Sequence, residues 1–137
     1  MASDQVTRDQ FIAEARKWIG VPWVHQGRNR HGVDCIGLLL VVCRSLGLSS
    51  YEVSGYGRSP NADFMRRECD RLMNRTHDPQ PGDVLVMRFS REPQHVLIRT
   101  DHGVIHSWSV AKRVVEVRMP DAWSRRIVAA YTVPGVV

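Results

Sequence analysis

The feature that most constrains this chain is a change of period at Pro81-Gly82-Asp83. Before that turn signal apolar residues recur at helical spacing; after it they alternate, as strands do. Three helical segments come first. Thr7-Arg8-Asp9-Gln10 has the spacing of a capping box, and Phe11, Ile12, Ala15, Trp18 and Ile19 then share one face, up to the stop at Gly20 and Pro22. A second helix is predicted from Asp34 as N-cap to about Leu46, apolar nearly all round, as a buried central helix is. A third covers Ala62 to Asn74, with Phe64, Met65, Cys69, Leu72 and Met73 inward. Strands are expected over Val84–Phe89, His95–Thr100, Val104–Val110, Val114–Arg118 and Ile127–Val133. Helices followed by strands predict an α+β fold, with N-terminal helices packed on a mostly antiparallel five- to six-stranded sheet.

At 137 residues the chain is expected to form a single domain, residues 1–137. The longest apolar run, Ile36 to Cys43, is far shorter than the ~20 residues a membrane helix needs. Met1 to Gln10 is polar and has no signal-peptide pattern. The net charge of +5 comes mostly from 17 arginines, spread in pairs such as Arg66-Arg67 and Arg125-Arg126. No basic block forms, so nucleic acid is not the expected partner.

Cys35, Cys43 and Cys69 contain no Cys-x-x-Cys pair and are too few for a disulfide framework. Cys35 stands out. With Asp34 as N-cap it lies in the first turn of the second helix, where unpaired N–H groups and the helix dipole favour a thiolate. Gly37 permits another chain or a substrate to approach that turn closely. Cys43 and Cys69 have no such setting and read as core residues.

A nucleophilic cysteine needs a base, and the base needs an orienting group. His95 and His106 lie on adjacent predicted strands joined through Thr100-Asp101-His102-Gly103. Pairing Thr100 with Gly103 places Leu97 opposite His106 and His95 opposite Trp108. Those four side chains then share one sheet face, with the two histidines as diagonal neighbours. The arrangement supports a Cys–His–His relay, with His95 as base and His106 as its orienter. Zinc accepts the same residue types, but the spacing matches no zinc pattern, and no metal or cofactor is expected. His25, His31, His77 and His102 read as loop and turn residues.

With these residues in place, the sequence resembles the NlpC-like cell-wall peptidases, papain-fold cysteine enzymes of bacteria and phages. The segments that carry the resemblance are Gly20-Val21-Pro22-Trp23, Asp34-Cys35-Ile36-Gly37-Leu38, Pro81-Gly82-Asp83, His95-Val96 and Ile105-His106. The resemblance implies Cys35 as nucleophile, His95 as base and His106 as the third polar residue. It implies Trp23, Asp34, Ile36 and Trp108 as substrate-binding residues and the Cys35 backbone N–H as an oxyanion donor. The implied reaction is hydrolysis of peptidoglycan stem-peptide amide bonds of the γ-D-glutamyl–diamino acid type.

Two positions depart from the family pattern. Trp23 stands where the family has Tyr, and its indole can donate a hydrogen bond but not accept one. Ile36 stands where Ser is usual. The small size resembles phage-tail members, which implies tail-tip or hub partners and a place in the virion, or in the host cytoplasm during assembly, with action in the host envelope. On the same fold an acyltransferase, a deamidase or a catalytically idle tail-tip module are the alternatives.

Overall fold

In the computed structural model, which describes residues 5–57, 64–89 and 92–137 (92–94 by backbone only), the capping box forms in full. The Thr7 hydroxyl accepts from the Gln10 N–H at 3.1 Å, and the Gln10 side chain accepts from the Thr7 N–H at 2.8 Å. Helix α1, Arg8–Arg16, then ends one turn earlier than the spacing predicts. The N–H groups of Lys17 and Trp18 bond three residues back, to the carbonyls of Glu14 and Ala15, which tightens the last turn. Phe11, Ile12, Ala15 and Trp18 are buried, but the tighter turn leaves Ile19 46% exposed.

The loop after α1 folds into a two-residue hairpin, β1 (Arg28–Asn29) and β2 (Gly32–Val33), too short to carry any period. Helix α2, Cys35–Ser45, follows at once, with Asp34 as N-cap. Helix α3 is Phe64–Leu72; Ala62, the expected start, lies outside the described residues. Asn74 is not its end. Asn74–Arg75 form a short strand, β3, paired with Thr132 and Tyr131.

The remaining strands are β4 (Val84–Phe89), β5 (Glu92–Arg99), β6 (Val104–Trp108), β7 (Arg113–Val117) and β8 (Ile127–Thr132). They form one six-stranded sheet in the order β3-β8-β4-β5-β6-β7, with antiparallel ladders throughout. The fold is the α+β arrangement expected. Strand β6 stops at Trp108, before the expected Val110, which is 72% exposed in the turn beyond.

Period-two alternation divides the core. Val84, Val86, Val96, Ile98, Ile105 and Tyr131 face the helices, where α2 packs across β5 and β6. Leu85, Met87, Leu97, Val104 and Ala130 face the other way, toward Phe89 and Trp123. Trp123 belongs to a 3-10 helix, Asp121–Arg126, that precedes β8.

The period-changing turn joins helix to sheet physically. Gly82 has φ +96°, and a Cβ there would sit 2.9 Å from the Arg8 Cβ. Arg8 donates to the buried Asp83 carboxylate at 2.6 Å, and the other Asp83 oxygen accepts from the Gln80 N–H at 2.7 Å. A hydrogen bond in which both partners are charged is stronger than a neutral one. Arginines thus link segments that are distant in the chain. Arg16, for example, holds Glu116 and Asp101 at 2.9 and 2.6 Å.

Candidate active site

The first turn of α2 is built around the Asp34 carboxylate, which is 4% exposed. One oxygen accepts from the Gly37 N–H at 2.7 Å, as an N-cap does. The other accepts from the Gln26 N–H at 2.8 Å and the Tyr56 hydroxyl at 2.7 Å. Arg28 approaches at 3.4 Å and also donates to the Tyr56 oxygen at 3.0 Å and to Glu52 at 2.9 Å. Burial, reinforced by the Asp34 hydrogen bond, holds the Tyr56 phenol well above its ordinary pKa. The network ties β1 and the segment around Tyr56 to the residue before Cys35. Ordering of this kind is what keeps a reactive side chain in one place.

Gly37 permits a close approach, as its position suggested, but the visitor is the chain itself. A Cβ on Gly37 would sit 2.2 Å from the Gly27 carbonyl oxygen. Cys35 is half-buried at the start of the helix and packs against the helix-side core. Cys43 and Cys69 are core residues, and burial pushes both thiols up to about 12.

The expected strand register is present. Ile98 pairs with Ile105 and Arg99 with Val104, and the Thr100 N–H donates to the Gly103 carbonyl at 2.8 Å. Pairing between β5 and β6 stops there, before Leu97 and His106 come opposite each other. His95 and His106 do share a face. His95 Nε2 lies 2.7 Å from His106 Nδ1, a hydrogen bond between two buried rings. Burial lowers both pKa values, to about 3 for His95 and about 4 for His106, so both rings are neutral near pH 7. On the opposite face of β6, Ser107 Oγ donates to the Val33 carbonyl at 2.6 Å. That bond brings the chain just before Cys35 against the residue just after His106.

Trp108 stacks on His106 with ring centroids 5.2 Å apart and planes 25° from parallel. Trp123 stands across His106 at 77° and 6.3 Å, and Phe89 meets His95 at 79° and 5.7 Å. Trp123 and Phe89 were not read from the sequence. Each reaches the histidines by alternation or by a turn whose landing point has no local signature.

The other expected site residues are dispersed around this centre. Trp23 lies on the loop before β1, held to the Lys112 carbonyl by its backbone N–H at 2.9 Å, with its ring over His25 at 6.5 Å. His25, on the same loop, is half-buried and meets Tyr56 edge-on at 5.6 Å. Ile36 points into an apolar cavity between α2 and α3, lined also by Leu39, Leu40, Phe64, Met65 and Val96. Ile36 and Val96 directly follow Cys35 and His95, so the cavity wall backs onto both. Among the described residues no three His, Cys, Asp or Glu side chains converge as a metal-binding group.

No curated protein matches the chain. Among solved structures, an NlpC/P60 family protein from Bacillus cereus ATCC 10987 is similar over 93% of this chain, with a TM-score of 0.68 and 18% identity. This chain spans only 40% of that protein's length. The NlpC/p60 domain of the peptidoglycan hydrolase SagA is matched over 93% of this chain and 99% of its own, with a TM-score of 0.61 and 23% identity. An N-acetylmuramoyl-L-alanine amidase from Bacteroides uniformis is matched over 90% and 97%, with a TM-score of 0.55 and 11% identity. At these identities the likeness is one of fold. The sequence pattern goes further, because the family model for NlpC/P60 matches residues 20–132, from the glycine before Pro22-Trp23 to the last strand of the sheet. The chain belongs to the NlpC/P60 family.

Proposed function

We propose that this domain is a peptidoglycan hydrolase that cleaves stem-peptide amide bonds, of the γ-D-glutamyl–diamino acid type, by a Cys35–His95–His106 thiol mechanism. The observation that carries the reading is the 2.7 Å bond between His95 and His106, in a buried aromatic setting beside the strand that Ser107 ties to Val33. A histidine pair bonded in this way leaves His95 Nδ1 outside the bond, and this reading makes that nitrogen the base. The Ser107–Val33 bond, made from the other face of β6, brings the segment before Cys35 up to the strand that carries His106. Family membership and the peptidoglycan hydrolase and amidase among its structural relatives support the substrate class.

In this reading the Cys35 proton passes to His95, and the thiolate attacks the amide carbonyl carbon. The N-terminal end of α2 supplies N–H donors and positive potential for the oxyanion that forms. His95 gives its proton to the departing amine, and an acyl-thioester remains on Cys35. Water, deprotonated by His95, then releases the acid. His106 keeps the His95 ring in plane throughout. Trp23, Ile36 and Trp108 border the substrate path, and Asp34 acts beneath it by holding the helix start.

The test is digestion of purified peptidoglycan by the wild type and by Cys35→Ala, with the muropeptides read by mass spectrometry. New free amino groups on the diamino acid are expected from the wild type only. Equal products from both proteins would overturn the assignment of Cys35. Digestion products lacking that cleavage would overturn the bond type.

A further inference from the structure

Either ring of the histidine pair can donate across the 2.7 Å contact, and only the second nitrogen of His106 breaks the tie. That nitrogen, His106 Nε2, is buried with no nitrogen or oxygen partner. The ring it belongs to is fully buried and in contact with His95, Trp108 and Trp123. A lone pair at Nε2 needs a donor, and aromatic faces are electron-rich and offer none. An N–H at Nε2 is in a better position, because a ring face accepts it weakly. Trp108 is not that face: its plane lies 25° from the His106 plane, and an in-plane N–H cannot point at a parallel ring. Trp123 stands at 77°, the orientation in which it can. Trp123 is itself held in place, edge-on to Phe89 at 4.8 Å.

We propose that Trp123 is a positioning residue that holds His106 as its Nε2–H tautomer. The consequence runs through the pair. With its proton on Nε2, neutral His106 presents a lone pair at Nδ1. His95 must then donate from its own Nε2, which leaves the His95 lone pair on Nδ1. That is the only neutral tautomer of His95 able to take a proton from a thiol at Nδ1. The opposite arrangement, with His106 donating from Nδ1, would put the His95 proton where the base is needed. An aromatic side chain from the 3-10 helix thus sets the protonation pattern of a pair it does not hydrogen-bond conventionally. The inference rests on the reading of Cys35 and His95 as nucleophile and base.

Two-bond proton–nitrogen correlation spectra of the 15N-labelled protein near neutral pH read each ring directly. The expected wild-type result is Nε2 protonated and Nδ1 bare on both His95 and His106. Trp123→Leu should mix the tautomers and lower kcat on a soluble stem peptide by about twofold to fivefold, with KM within about twofold, the scale of one weak donor–face contact. Trp123→Phe, which restores a ring face, should recover both. A wild-type His106 protonated on Nδ1 would overturn the proposal, as would Leu and Phe variants that behave alike. If Trp123→Leu does not fold, the wild-type and Trp123→Phe spectra still decide. The spectra need no turnover. A chain that cleaves nothing, or whose Cys35→Ala variant is fully active, therefore refutes the catalytic reading separately from the tautomer.

Discussion

Ser107 and Val33 are 74 residues apart, and the Ser107 hydroxyl donates to the Val33 carbonyl at 2.6 Å in a buried setting. Val33 precedes Asp34 and Cys35; Ser107 follows His106. One hydrogen bond therefore spans the two halves of the candidate site. Ser107→Ala should cost about 1 kcal/mol of stability, since the Val33 carbonyl keeps the Val24 N–H at 3.2 Å as a partner. Its larger effect is expected on kcat, with KM little changed, because the thiol and the base lose their common reference point. A Ser107→Ala enzyme with wild-type kcat would show that the bond is structural only.

The three thiols should separate by reactivity. Burial holds Cys43 and Cys69 near 12, so neither is ionised near neutral pH. Cys35 is half-buried at a helix start. Iodoacetamide followed by peptide mapping should modify Cys35 first in the folded protein and all three only after unfolding. Equal labelling of the folded protein would count against Cys35 as the nucleophile.

The two histidines should fail differently when replaced. Loss of the general base costs typically 10²–10⁴-fold in the chemical step, and His95→Ala is expected in that range. His106→Asn keeps an oxygen that can accept from the His95 ring and should retain more activity than His106→Ala. Initial rates at saturating soluble stem peptide measure this. An inactive but folded His106→Asn would mean that His106 does proton chemistry of its own.

Stability should fall on the acid side. Both buried rings are lowered from 6.5, to about 3 and about 4, so between those values and 6.5 the unfolded chain binds protons that the native state refuses. Native stability is therefore full above about pH 6.5 and declines as pH falls. Each histidine contributes up to ~1.4 kcal/mol per pH unit, until its own folded pKa is reached. Urea midpoints measured from pH 7 to pH 4.5 should drop for the wild type and drop less for His106→Asn. Identical slopes would contradict the buried neutral pair.

Gly37→Ala tests the packing under the helix start. A methyl group there would need to sit 2.2 Å from the Gly27 carbonyl oxygen, a backbone atom that cannot swing aside. The gain in helix propensity, ~1 kcal/mol, is smaller than the strain, and a net loss of roughly 1–3 kcal/mol is expected from denaturant titration. A stabilised variant would mean that the loop yields easily.

Whatever depends on near neighbours is legible in the order of residues alone. The Thr7 capping box, Asp34 as N-cap of a buried helix, the strand alternation and the Ile98–Ile105 register are all set within a few residues, by spacing and side-chain chemistry. That register also determined that His95 and His106 share a face, because a hairpin with an even loop permits no other parity. What covers that face is settled by the packing of segments far apart in the chain. Trp123 and Phe89 close over the histidines from elements 17 residues after His106 and 6 before His95, and no local pattern reports where a turn will set down a ring. The same holds for Tyr56 and Arg28 on Asp34, for the Gly27 carbonyl that fills the space over Gly37, and for β3, two residues long and visible only once Thr132 lies beside it. Periodicity states which side of an element is apolar or chemical; packing of distant segments decides which partner arrives there, and with it the protonation and exposure of the site.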